Sequence, residues 1–152
     1  VSVSVNGGSE LWEARSFSGN RYAQASAFGI TETMNAWLVT PAINLDDYTQ
    51  ESFRFRYTQN FYNGDALKVL ISTDYDGVST NPSTFTWTDI TAQAGVTQRS
   101  TSGFMSSFAA SESIDLSTYT GNVYIAFVYE GTSTGVTTNV QIDNVEVRGI
   151  AE

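Results

Sequence analysis

Val140-Gln-Ile-Asp-Asn-Val-Glu-Val147 carries its apolar residues on one alternating parity, Val140 and Ile142, and then on the other, Val145 and Val147. Period-two alternation marks a strand with one buried face, and a strand changes parity only through an extra residue. A β-bulge is therefore predicted at Asp143–Asn144. A carboxylate placed at such a bulge must be ion-paired, hydrogen-bonded or bound to a metal. Asp143 is accordingly the first candidate ligand for a calcium ion.

Other segments obey the same period. Phe53, Phe55 and Tyr57 share a face opposite Arg54 and Arg56, and Leu67, Val69 and Ile71 share one opposite Lys68. The turn-forming residues Gln59 to Asp65 between them predict an antiparallel hairpin that sets Arg56 across from Lys68. Val123 to Tyr129 is apolar on both faces and reads as a central strand. Ala36 to Val39 runs into Pro41, which marks a strand end or a sheet edge. Thr84 to Thr91 alternates as a further strand. No amphipathic helix, internal repeat or linker interrupts the chain, and 74–82, 91–113 and 131–139 read as loops. At 152 residues this is one domain, 1–152: an all-β, antiparallel two-sheet β-sandwich of jelly-roll type.

Composition narrows the chemistry. Seven basic residues against 16 acidic give a formal charge of −9, so nucleic acid and anionic membrane surfaces repel the chain. No run of about 20 apolar residues predicts membrane insertion. The absence of cysteine and histidine removes disulfides, thiolate metal sites and any nucleophile activated by histidine. A bound metal is then expected to be hard and oxygen-ligated, with calcium the natural choice. The abrupt start at Val1-Ser-Val-Ser-Val suggests a monomeric module cut from a longer secreted protein.

Trp12-Glu13, Ser18-Gly-Asn-Arg-Tyr-Ala23 and Ala36-Trp-Leu-Val-Thr-Pro-Ala-Ile-Asn-Leu45 resemble the choice-of-anchor J and cleaved-adhesin modules. So do Gly64-Asp-Ala-Leu-Lys-Val-Leu-Ile-Ser-Thr-Asp74, Trp87-Thr-Asp-Ile-Thr91, Ile114-Asp-Leu-Ser-Thr-Tyr-Thr-Gly121, Val123-Tyr-Ile-Ala-Phe127 and Ile142-Asp-Asn-Val-Glu-Val147. In that order they cover almost the whole chain. The resemblance implies a jelly roll distantly like the MAM domain, found in secreted or cell-surface bacterial proteins beside adhesins, proteases, nucleases and polysaccharide-degrading enzymes. It also implies a structural calcium where the early Gly-Asn segment meets the last strand, at Asn20 and Asp143, with Glu13 or its competitor Glu10 as the acidic neighbour.

Two further groups are candidate ligand contacts. Arg54, Arg56 and Lys68 concentrate charge in a chain with few cations, and need either carboxylates such as Glu51 or Asp65, or an anionic glycan held by forked arginine contacts. Phe61 and Tyr62 stand in a turn with Asn63 and Asp65, where a ring either joins the core or stacks on a sugar whose hydroxyls the polar groups bond. Trp37 and Trp87 are expected in the core, Trp12 in either setting. Asp74-Tyr-Asp76-Gly77 begins like an EF-hand but lacks its later ligands, so it reads as a turn. The expectation is a non-catalytic carbohydrate-binding accessory module whose partners are a polysaccharide or cell-surface glycan and the neighbouring domains of its parent. The alternative is an adhesion, protein-interaction or spacer module. A glycosidase pairing of Asp65 with Glu130 or Glu51 has no spacing to support it.

Overall fold

The computed structural model describes residues 1–152 and folds them as two antiparallel sheets packed face to face. The first sheet contains β1 (Ser2–Ser4), β4 (Thr33–Val39), β5 (Ile43–Asn44), β7 (Leu67–Ser72), β8 (Thr88–Asp89) and β11 (Asn122–Thr132). The second contains β2 (Glu13–Phe17), β3 (Asn20–Ala25), β6 (Tyr48–Asn60), β9 (Ala109–Ala110), β10 (Ile114–Asp115) and β12 (Asn139–Ala151). The all-β sandwich expected from alternation is the fold found. β11 lies between β4 and β7, as its two apolar faces require.

The core forms where the inward faces meet. Phe53, Phe55 and Tyr57 of β6 and Val140 and Ile142 of β12 pack against Val69, Ile71, Ile125, Phe127 and Tyr129, all almost fully buried. Phe55 and Phe127 meet edge-on across the sandwich with centroids 5.0 Å apart, the arrangement the ring quadrupoles favour. Trp12 joins this core, its indole N–H donating to Ala36 O at 3.1 Å. Tyr129 is held by two bonds, accepting the Ala27 N–H (2.9 Å) and donating to Thr138 O (2.7 Å). Burial pushes its phenol up to about 12.

The expected 53–71 hairpin does not form. Leu67 pairs with Tyr129 of β11, while Tyr57 pairs with Ile142 of β12, so β6 and β7 belong to different sheets. Two strands that are each apolar on one face bury those faces equally well by facing each other across a sandwich, and residues 61–66 carry the chain over. Lys68 is consequently not opposite Arg56. It points from the outer face of the first sheet and pairs with Glu130 at 3.2 Å.

The Thr84–Thr91 strand is likewise reduced to β8. A 3₁₀ turn at Pro82–Thr84 and a single helical turn, α1 (Thr91–Ala94), flank it. Trp87 donates to Pro82 O (2.8 Å), and its ring packs on Trp37 and Tyr75. These rings cover part of the first sheet's outer face, so Trp37 and Trp87 form a second apolar cluster rather than part of the main core.

The bulge occurs where parity changes. Asp143 pairs with Arg56 and Glu146 with Arg54, leaving Asn144 and Val145 opposite Phe55 alone. Asn144 adopts φ 49°, a left-handed conformation that asparagine tolerates better than most residues. Val147 thereby returns to the inward side opposite Phe53, though at 36% exposure it lines the rim, and Val145 is more exposed still. Asn144→Val should destabilise the domain by about 1–2 kcal/mol, the left-handed cost for an ordinary residue. Asn144→Gly should stay within about 0.5 kcal/mol of the parent. Chemical denaturation distinguishes the two, and equal stability of both variants would mean the bulge does not set this register.

Candidate functional site

β12, the last strand, lies at the centre of the second sheet with β6 on one side and β3 on the other. Its outward residues, Gln141, Asp143 and Glu146, therefore share a face with Thr58, Arg56 and Arg54 of β6 and with Gln24 and Tyr22 of β3. Polar side chains join hand to hand across this face. Asn60 donates to Asn139 Oδ1 (3.0 Å) and to Thr58 Oγ1 (2.8 Å), Thr58 donates to Gln141 Oε1 (3.0 Å), and Gln141 donates to Gln24 Oε1 (3.0 Å). Buried polar groups in a fully paired network are held in one arrangement.

Above this floor runs the long connection between α1 and β9. Asn60 Oδ1 accepts the Met105 N–H at 2.8 Å, and the Gln59 amide of the same strand reaches Gln98 O at 3.0 Å. The connection is thereby fixed as a wall. Between wall and floor lies a cleft of about 350 Å³ lined by Phe17, Asn20, Tyr22, Thr58, Phe104, Met105, Phe108 and Gln141. A second of about 390 Å³ continues past Phe104 to Phe28, Phe61 and Asn139. Phe17, Phe28, Phe104 and Phe61 are 76%, 81%, 62% and 48% exposed, unusual for four large rings gathered on one side of a domain.

Of the residues singled out in the sequence, Phe61 belongs to this site. It meets Phe104 edge-on at 5.1 Å and has φ 47°. A left-handed conformation at a phenylalanine costs on the order of 1–3 kcal/mol and persists only where surrounding structure imposes it. Here the N–H groups of Phe61 and Tyr62 donate to Gly103 O (3.0 Å) and Ser100 O (2.8 Å). Tyr62 is less available: Arg99 lies 4.3 Å from its ring centroid, and its hydroxyl donates to Asp65 at 2.7 Å, which raises the phenol above its ordinary value. Asn63 braces the neighbouring turn through Thr137 and Gly135. Arg54 and Arg56 share the cleft's sheet face further along β6, whereas Lys68 is on the opposite side of the sandwich.

Asn20 and Asp143 do come together, 123 residues apart in sequence, with Asn20 Nδ2 donating to Asp143 Oδ2 at 2.9 Å. The other carboxylate oxygen accepts the Asn144 N–H at 2.8 Å. Glu13 stands apart: it pairs with Gln24 at the far end of the β2–β3 hairpin from Asn20 and is engaged by Arg15 at 2.5 Å. Calcium takes six to eight oxygens, and one carboxylate with one amide fits that demand only in part. In the 74–79 turn, Asp74 accepts from Ser72 and Thr86, and Asp76 from the Val78 and Ser79 N–H groups. The Ser72 hydroxyl first among these holds the Asp74 carboxyl below its usual range.

Residues 42–151 match the model of a family described as a domain of unknown function, DUF5017. The chain belongs to that family. The matching model is described as DUF5017 and not as choice-of-anchor J. No curated protein matches the chain. Among solved structures, the K1 cleaved adhesin domain of Lys-gingipain from Porphyromonas gingivalis W83 aligns with a TM-score of 0.59 at 18% identity, over 98% of this chain and 89% of that one. The sandwich fold is shared with it. Two carbohydrate-binding modules align more loosely. TmCBM61, solved with β-1,4-galactotriose, gives 0.45 at 15% identity over 86% and 72% of the two chains. CBM28, specific for non-crystalline cellulose, gives 0.44 at 11% over 91% and 80%.

Tyr22, Phe17, Phe28, Phe104 and Phe108 were not among the sequence candidates. The signal available was an aromatic residue stranded among Ser, Gly and Thr, as in Thr101-Ser-Gly-Phe104 and Phe17-Ser-Gly, where no apolar alternation requires one. Asn60→Ala removes two donated bonds and the Met105 anchor, and should cost about 1–3 kcal/mol for the partners left unpaired. It should also speed amide exchange at Met105. Exchange unchanged there would show that the wall stands without Asn60.

Proposed function

We propose that this domain is a non-catalytic carbohydrate-binding module of a secreted or cell-surface bacterial protein, with its ligand lying along the outer face of the second sheet. The observation that carries this reading is the set of exposed phenylalanines over a fixed polar floor. Sugars present an apolar C–H face to a ring and hydroxyls to amide groups, and a cleft with aromatic walls and a few placed polar groups meets both demands. From Asn60 to Arg54 along β6 the face runs about 20 Å at 3.4 Å per residue, room for a short run of linked sugars.

A protein-interaction or adhesion surface is the alternative. A flat apolar patch would favour it, whereas here the rings border clefts floored by Thr58, Gln141 and Asn139. No reaction is assigned. Asp65 and Glu130 are engaged by Tyr62 and Lys68, and neither is presented to the cleft.

Phe17→Ala and Phe104→Ala should each weaken glycan binding by about 1–3 kcal/mol, the scale of base–aromatic stacking, and Phe17→Ala should leave the melting temperature nearly unchanged because its ring is exposed. A glycan array with and without calcium, followed by titration calorimetry, measures this. No glycan bound by the parent protein would remove the reading in favour of adhesion. Phe61→Gly separates the two uses of that ring: relief of the left-handed backbone should hold or raise stability while binding falls. Loss of stability and binding together would place Phe61 in the core instead.

A structural calcium remains part of the proposal at Asn20 and Asp143, the amide turned to present its oxygen. If the ion bridges them, EDTA lowers the melting temperature and Asp143→Ala abolishes that response. A melting curve unmoved by EDTA leaves the contact as a hydrogen bond alone.

A further inference from the structure

Four of the chain's seven basic residues, Arg15, Arg54, Arg56 and Arg148, stand on the outer face of the second sheet, in a domain whose formal charge is −9. Their pairing is uneven. Arg15 is matched by Glu13 at 2.5 Å. The Glu146 carboxylate is shared, bridging the Nε of Arg54 (2.6 Å) and the Nε of Arg148. Both contacts hold that carboxyl below its usual range, Arg54 contributing most. Arg54 thus keeps its terminal nitrogens free of protein partners.

Arg56 has no carboxylate within 4.0 Å; its side chain makes one hydrogen bond, from Nη2 to Phe108 O at 2.7 Å. The register sets Asp143 directly across from it. That carboxylate is nevertheless turned away, its two oxygens taken by the Asn20 amide and the Asn144 N–H. An unmatched guanidinium on an acidic domain, beside a carboxylate directed elsewhere, is poised for an anion from outside. It lines a groove of about 430 Å³ with Arg54, Asn144, Ala110 and Glu146. Arg54 and Arg56 are two residues apart on one face, hence about 7 Å apart. Thr58, two residues further along β6, is already part of the aromatic cleft's floor.

We propose that this arginine groove is the subsite for the anionic substituent of an acidic glycan, a uronate carboxylate or a sulfate ester, while the adjoining phenylalanine cleft takes the sugar ring. The guanidinium fork matches the two oxygens of such a group in one plane. Glu146 is then an internal competitor for Arg54. The inference rests on the carbohydrate-binding reading above and specifies the class of glycan within it.

The test is calorimetric titration of the whole domain with polygalacturonate, its fully methyl-esterified form, dextran sulfate and dextran, at low and high salt. Polygalacturonate or dextran sulfate should bind at least tenfold tighter than its uncharged counterpart, with affinity falling as salt rises. Which of the two binds identifies the anion as carboxylate or sulfate. Arg56→Gln should lose most of that preference, Arg56→Lys should retain part of it, and Glu146→Gln should strengthen binding several-fold. Melting curves of the variants confirm that each is folded, and if Arg56→Gln is not, the Glu146→Gln gain decides. Equal binding of charged and uncharged forms, with loss only on Phe17→Ala, would overturn the arginine subsite and leave the carbohydrate reading standing. Binding to none of the four, and to nothing on the glycan array, would overturn both.

Discussion

The pairing of β6 with β12 is the contact on which the rest of the domain depends. Each strand is 13 residues long, and together they hold the middle of the second sheet. Their inward residues supply one wall of the core, and their outward residues supply the floor of the clefts and the arginine groove. The bulge at Asn144 reconciles these roles. Without the extra residue, Glu146 would turn inward and Val147 outward, placing a carboxylate in the sandwich. With it, Glu146 meets Arg54 across the strands and Val147 covers Phe53. A single left-handed asparagine thus fixes which charges face solvent from Glu146 to Arg148, before the register shifts again between Arg148 and Ile150.

The two outer faces are finished differently. On the first sheet Tyr75, Phe85 and Trp87 of the 74–87 connection pack on one another and on Trp37 and Tyr124 of the sheet, and cover that part of the face. On the second, the polar ladder from Asn139 to Gln24 holds the connection above it through the Asn60–Met105 bond, and cavities persist between them. Apolar side chains close on one another because burial rewards contact over area. Satisfied amides gain nothing by being covered further. That difference leaves open clefts on one side of the sandwich and a covered aromatic cluster on the other.

Charge follows the same division. On this one face four arginines stand among four carboxylates, Glu13, Asp115, Asp143 and Glu146; Glu13 matches Arg15, Glu146 is shared by Arg54 and Arg148, and Asp143 is turned aside from Arg56. A single unmatched guanidinium on an acidic protein gives an anion a defined place, while like charge elsewhere discourages promiscuous contact.

The sequence by itself determined the strands and the sandwich, because period-two alternation at 53–57, 67–71 and 140–147 leaves each strand only one face to bury. It determined the bulge, because parity changes at one place, and the resemblance brought Asn20 to Asp143. It did not determine which strands pair: an apolar face at 67–71 is satisfied equally by a neighbour in the same sheet or by one across the core. The 53–71 hairpin therefore dissolved, and Lys68 with it moved to the opposite side from Arg54 and Arg56. Nor did it show the exposed rings, since Phe17, Phe28 and Phe104 lie in loops or at a strand end where no periodicity speaks for them. Only the tertiary structure brought these rings over one polar ladder, because that neighbourhood is made by strands whose bonded residues lie 79 to 117 positions apart, closing around the last one.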